Sequence, residues 1–163
     1  LRLARWDFLF YAVLGTVVGL GLNLLFRIGL KKTVSMSVQP EAVDRAAIGQ
    51  FMDVQGAAWG ARRDVLERAK FNLEQSIETI VGSGVARSPL VVEASFDEFN
   101  LDLRVTYEGV PLELLEKRPT TEEIIESEDG ERKLAGYMLR RLADRVAATR
   151  RGGRSTILFH FDH

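Results

Sequence analysis

From Phe8 to Phe26 the chain carries no charged residue, and only Thr16 and Asn23 in that stretch are clearly polar. A helix of about 20 mostly apolar residues crosses a hydrocarbon core of roughly 30 Å, and in lipid a helix satisfies its own backbone polar groups within one segment. The stretch therefore predicts a membrane-spanning helix within residues 1–30. The competing account is a wholly buried helix of a soluble core, but such helices normally keep a polar face. A removable signal peptide fits poorly, because the apolar run is too long and Phe26-Arg-Ile-Gly-Leu-Lys31 is no small-residue cleavage site.

Arg2, Arg5 and Trp6 precede the span, and Arg27, Lys31 and Lys32 follow it. The modest excess of basic residues after the span places residues beyond 30 on the cytoplasmic side of a bacterial inner (plasma) membrane. Gly15-Thr-Val-Val-Gly19 has the small-residue spacing that lets membrane helices approach closely, which suits a homo-oligomer or packing against further spans. The chain opens on Leu1 and runs straight into the apolar stretch, so it is expected to be a piece of a longer protein with further spans upstream.

Residues 31–163 have the length of one ordinary domain with its own core. The chain's formal charge of −1 argues against a nucleic-acid partner, whose usual mark is a basic domain. With no cysteine, disulfides, thiolate metal sites and cysteine nucleophiles are excluded.

Thr33-Val-Ser-Met-Ser-Val38 alternates apolar and polar residues and predicts a half-buried strand. Pro40 and Glu41 suit a helix start, with Val43, Ala46, Ala47, Phe51 and Val54 as its apolar stripe and an end marked by Gly56 and Trp59-Gly60. A second helix is expected over about 62–81, where Val65, Leu66, Ala69, Leu73, Ile77 and Ile80 recur at three and four residues. Leu90, Val92, Ala94 and Phe96, then Leu101, Leu103, Val105 and Tyr107, alternate on either side of Asp97-Glu-Phe-Asn100 and predict a hairpin. Residues 108–132 form a long polar connection with a short helix at Thr121-Glu-Glu-Ile-Ile-Glu126, the usual form of a lid. A third helix with Leu134, Met138, Leu142 and Val146 on one face is expected to run to Gly152-Gly153, and Ile157, Phe159 and Phe161 mark a closing strand.

This order and spacing over Thr33–Phe161 resembles the ATP-binding domain of the GHKL superfamily, which includes histidine-kinase catalytic domains and anti-sigma-factor kinases. The resemblance is carried by Asn72-Leu-Glu-Gln-Ser-Ile-Glu-Thr-Ile80, by Tyr107-Glu-Gly-Val-Pro111, by Lys133-Leu-Ala-Gly-Tyr-Met138, and by the closing Leu139-Arg-Arg-Leu-Ala-Asp-Arg-Val146 and Gly152-Gly-Arg-Ser-Thr-Ile-Leu-Phe159. It implies a two-layer α/β sandwich with a mixed sheet covered by helices on one face, and with the apolar run before it the expectation is an α+β chain of one N-terminal transmembrane helix followed by that domain.

In that family a glutamate and an asparagine one turn apart on the second helix handle the attacking water and the magnesium ion. Glu74 falls at the first position and Glu78 replaces the asparagine. A carboxylate can hold a hard cation through oxygen; the other account is that both are solvent-facing residues of an amphipathic helix. The family's adenine-reading aspartate is replaced by Tyr107; Gly109 matches its turn glycine, and Pro111 replaces the second glycine. Gly136 is the match in the phosphate-cradling turn. The resemblance thus implies ATP with magnesium as the ligand, Glu74, Glu78, Gly109 and Gly136 as nucleotide-binding residues, and Glu74 as the catalytic base of an active member. The substitutions point to altered or lost ATP chemistry.

Residues 15–25 are similar to the last span of bacterial xanthine/uracil permeases of the nucleobase–cation symporter family, some of which carry a GHKL-like domain after the transporter. This implies the end of a nucleobase carrier with a non-catalytic regulatory domain. The rival readings are a membrane-tethered kinase or ATPase and a pure interaction module.

His160 and His163 lie three apart on a strand and so point to opposite faces, which sets them apart from a shared metal ion. Arg140-Arg141 and Arg150-Arg151 either meet phosphates and anionic lipid heads or form a solvated helix face.

Overall fold

The computed structural model describes residues 3–26, 32–97 and 99–163, with side chains of the first helix described over 7–22. The chain divides into two compact units, Leu1–Leu30 and Lys31–His163.

The first unit is helix α1, Leu3–Phe26. Its side chains from Asp7 to Leu22 are all exposed, including Phe8, Phe10, Tyr11, Val13, Val17 and Leu20 around its circumference. Among the described residues, no helix is long and apolar enough to cross a membrane. Trp6, Asn23 and the basic flank at Arg27 and Lys31 belong to expectations that lie outside the described side chains.

The second unit is an α+β fold. Strands β1 (Lys32–Val38), β2 (Leu90–Phe96), β3 (Asn100–Glu108), β4 (Arg145–Arg151) and β5 (Arg154–Asp162) form one sheet in the order β1-β2-β3-β5-β4. Every neighbouring pair is antiparallel. The sheet is therefore not mixed, as expected from the resemblance, but antiparallel throughout. Helices α2 (Arg45–Trp59), α3 (Arg63–Gly82), α4 (Thr121–Glu126) and α5 (Gly130–Leu142) complete the unit.

The period-2 pattern decides which face is covered. Leu90, Val92 and Ala94, Leu101, Leu103 and Val105, and Ile157, Phe159 and Phe161 point inward and are essentially inaccessible, while Val91, Arg104, Glu108, Arg154 and Leu158 face outward. Ala69, Leu73, Ile77 and Ile80 of α3 close the inner face, joined by Ile48 and Met52 of α2 and Leu139 of α5.

Two elements differ from the sequence expectation. Helix α2 begins at Arg45, because Asp44 caps it by accepting from the Ala47 N–H at 3.1 Å. The buried stripe is accordingly Ile48 and Met52, and Val54 is exposed. Gly56 does not end the helix; it lets Leu66 of α3 approach where a Cβ would overlap that side chain, and Gly60, at φ +68°, is the stop. The third helix, α5, ends at Leu142 rather than running to Gly152, and Val146 lies in β4 opposite Phe159. The two-residue turn Gly152-Gly153, with φ +56° and +84°, makes 145–162 a hairpin.

Asp144 fixes that chain reversal. Its carboxylate takes Arg68 Nη1 and Nη2 of α3, each at 3.3 Å, and the backbone N–H of Asp162 at 2.9 Å. Partial burial pushes its pKa up, but the hydrogen bonds from Arg68 and Asp162 together outweigh this and hold it below the usual carboxylate value. A depressed folded-state pKa contributes stability that is present above the unfolded value of about 3.9 and lost as pH falls through the folded value. Asp144→Asn is expected to cost about 1–2 kcal/mol at pH 7. The gap from wild type, read by urea unfolding, should stay flat above about pH 5 and close in more acidic solution.

Candidate functional site

An open cleft of about 500 Å³ lies between the C-terminal half of α3 and the start of α5, lined by Glu78, Thr79, Ser83, Asp129 and Arg132 among others. Of the four expected nucleotide-binding residues, Glu78 alone lines this cleft.

Two of the carboxylates that line the cleft, Glu78 and Asp129, are already held by cations of the chain. Glu78 pairs with Arg45 at the start of α2 and accepts from Gln75 Nε2 at 3.3 Å. Asp129 meets Lys133 Nζ at 3.0 Å and Arg132 Nη2 at 3.2 Å, and the Lys133 hydrogen bond is the main reason its carboxyl sits below the ordinary range. Glu74 is half-buried on the side of α3 that faces α2, its carboxylate over Gly49 and within the field of Lys70. Glu78, one turn further on, also faces α2 through Arg45.

Gly109 and Gly136 are both required by the chain's own backbone. Gly109 has φ +152°, and a Cβ there would overlap the Val85 carbonyl. Its N–H donates to the Gly153 carbonyl at 3.2 Å, and its own carbonyl accepts from the buried Ser155 hydroxyl at 2.9 Å. Gly136 lies within α5, where a Cβ would overlap the carbonyl oxygen of Glu113 in the 109–120 connection. The space beside Gly136 is thus taken by the Glu113 carbonyl of the 109–120 connection.

Tyr107 completes this closure, a role its alternating position in β3 does not disclose. The side chain is buried, and its hydroxyl donates to the Val110 carbonyl at 2.9 Å and accepts from the Leu112 N–H at 3.1 Å. Burial pushes the phenol's pKa up, against the partial opposition of the Leu112 and Ser155 hydrogen bonds. Leu112 is buried with it. Where the resemblance expects an acid reading adenine, this chain has a phenol reading its own turn.

Asn72 sits one turn before Ser76 on the buried side of α3. Its Nδ2 donates to the Leu139 carbonyl of α5 at 3.4 Å, and its Oδ1 has no partner among the described residues. The histidines lie on opposite faces, as their spacing requires. His163 Nε2 accepts from the Arg62 N–H at 2.7 Å, and His160 Nδ1 meets Asp102 Oδ1 at 2.6 Å on the outer face. Among the described residues, no group of three or more His, Cys, Asp or Glu side chains is placed to hold a metal ion.

No protein-family model matches the chain, and no curated protein matches it. Among solved structures it is similar to the Acinetobacter baumannii histidine kinase AdeS, with 14% identity and a TM-score of 0.42, over 94% of this chain and 83% of that chain. The comparisons supply no relative for the expected nucleobase permease.

Tyr107→Phe leaves the buried Leu112 N–H without its acceptor and is expected to destabilise the fold by about 1–3 kcal/mol in urea unfolding. Because the folded phenol titrates above the unfolded value of about 10, its contribution is present below that pH and lost as pH rises through the folded value. The gap between wild type and Tyr107→Phe should therefore narrow in strongly alkaline solution. Asn72→Leu, which removes an orphaned buried acceptor, is expected to leave stability within about 1 kcal/mol of wild type or raise it.

Proposed function

We propose that residues 31–163 are a regulatory domain built on an ATP-binding α/β sandwich of the histidine-kinase kind, with the nucleotide position closed by the domain's own 107–114 segment, and that α1 holds it at a membrane. The observation that carries the reading is the Tyr107 hydroxyl bridging Val110 and Leu112, with the Glu113 carbonyl seated on Gly136. Membrane attachment is supported by the uncharged run from Phe8 to Phe26 and by the apolar side chains that α1 exposes on every side.

In this reading the domain acts through its shape and the state of its lid segment. Glu74 and Glu78 then serve the α2–α3 packing rather than water activation and magnesium binding. A second reading, a membrane-tethered kinase or ATPase, is favoured by the open cleft between α3 and α5, which Glu78 still lines.

Calorimetric titration of ATP with magnesium into the full chain in neutral detergent distinguishes the two. The first reading expects no binding up to millimolar nucleotide. Micromolar binding with turnover lost in Glu74→Ala would establish the second and assign Glu74 as general base. Gly136→Ala should displace the lid segment and speed limited proteolysis within residues 109–120 several-fold, while unchanged cleavage would show that the segment does not rest on α5. The membrane claim expects the expressed chain to stay with membranes after alkaline carbonate extraction; release into the supernatant would refute it.

A further inference from the structure

The outer face of the sheet, opposite the helices, carries a cleft of about 670 Å³ whose lining includes Arg104, Thr106, Glu108, Thr149, Arg151 and Arg154. Register explains its construction. Arg151 stands directly opposite Arg154 across the β4–β5 hairpin, and Thr149 stands opposite Thr156, two residues along on the same face. Thr106 faces Thr156 from β3, their hydroxyls 3.3 Å apart.

Four arginines project from this face, and they are not equivalent. Arg104 is paired with Glu93 at 3.1 Å. Arg145 is placed by His160 Nε2 at 2.8 Å and Asp162 Oδ1 at 3.5 Å. Arg151 and Arg154 have no ion pair or side-chain hydrogen bond among the described residues, and Glu108, in register with Arg154, makes no ion pair with it. Two like charges set directly opposite each other on a hairpin repel. The glycine turn beside them, with both φ positive, fixes the hairpin register and holds the pair together. A dianion between the two guanidiniums would remove that repulsion and take up two bidentate forks, with the Thr149 and Thr156 hydroxyls available as further donors.

We propose that the Arg151–Arg154 pair is a binding site for a phosphate-bearing anion, on the face of the sheet opposite the closed nucleotide position. The chemistry is shared by a free phosphate monoester or inorganic phosphate and by an anionic lipid headgroup. The site does not need the regulatory reading above: the Arg151–Arg154 pair belongs to the β4–β5 hairpin, and of the 107–114 segment only Tyr107 and Glu108 border the cleft.

The test is amide NMR of the full chain, first in neutral detergent titrated with inorganic phosphate, then in nanodiscs of phosphatidylcholine with and without phosphatidic acid. Shifts confined to residues 149–156 on adding phosphate, weakened at least tenfold by Arg151→Gln with Arg154→Gln, establish the free anion as ligand. Shifts that appear only with phosphatidic acid, and vanish in the same double variant, establish the headgroup. Arg151→Lys with Arg154→Lys keeps the charge and loses the forks, so it should bind more weakly than wild type and more tightly than the glutamine pair. Arg150→Gln, on the inner side of β4 opposite Ser155, should bind as wild type and keep the same melting temperature. No shift in either medium, or equal shifts in the glutamine pair, would overturn the proposal.

Discussion

Ala69, Leu73, Ile77 and Ile80 of α3 lie fully buried against a sheet whose inner face is a continuous field of Leu, Val, Ile and Phe. Each surface covers the other, and each buried Leu, Ile, Val or Phe of this contact contributes about 1.5–3 kcal/mol by leaving water. The remaining elements are placed around that contact. Helix α2 reaches α3 through Gly56 and Leu66 and extends over the sheet where Trp59 stacks on Phe96 at 5.7 Å. Helix α5 docks on the other flank of α3 through Asn72 and Leu139. Arg68, on the same helix, reaches Asp144 and lies over the Phe161 ring, so one residue of α3 ties down both the start of β4 and the end of β5.

The same arrangement governs what the site can do. A cleft beside α3 exists, but the chain has invested its special positions in closing itself. Glycine is needed at 109 and 136 because backbone carbonyls of Val85 and Glu113 press against them, and Tyr107 uses both hydrogen-bonding capacities of its hydroxyl on the turn that follows. Those three positions coincide with the places where the resemblance expects adenine and phosphate recognition.

Much of this was legible in the sequence. The alternation in 33–38, 90–96 and 101–107 gave the faces as well as the strands, and the three-and-four spacing of α3 gave its buried side almost residue by residue. Strand β4 was not legible, because as an edge strand it half-buries only Val146 and so has no alternation to display, while Leu134, Met138, Leu142 and Val146 fall at helical spacing. The cue was the Gly152-Gly153 turn, which suits a hairpin better than a helix end. The partners of Glu74 and Glu78 were equally hidden, because Gly49 and Arg45 of α2, which they face, are not near them in sequence.

The two ends of the second unit meet at one end of its sheet. Lys32 opens β1 opposite Phe96, and His163, just past β5, packs its ring on that same Phe96 and donates its N–H to the Phe99 carbonyl. Strand β1 is also an edge strand, held on one side only. Tension applied between residue 32 and residue 163 would therefore load the β1–β2 ladder from its end, opening it one pair at a time like a zipper instead of shearing all its hydrogen bonds together.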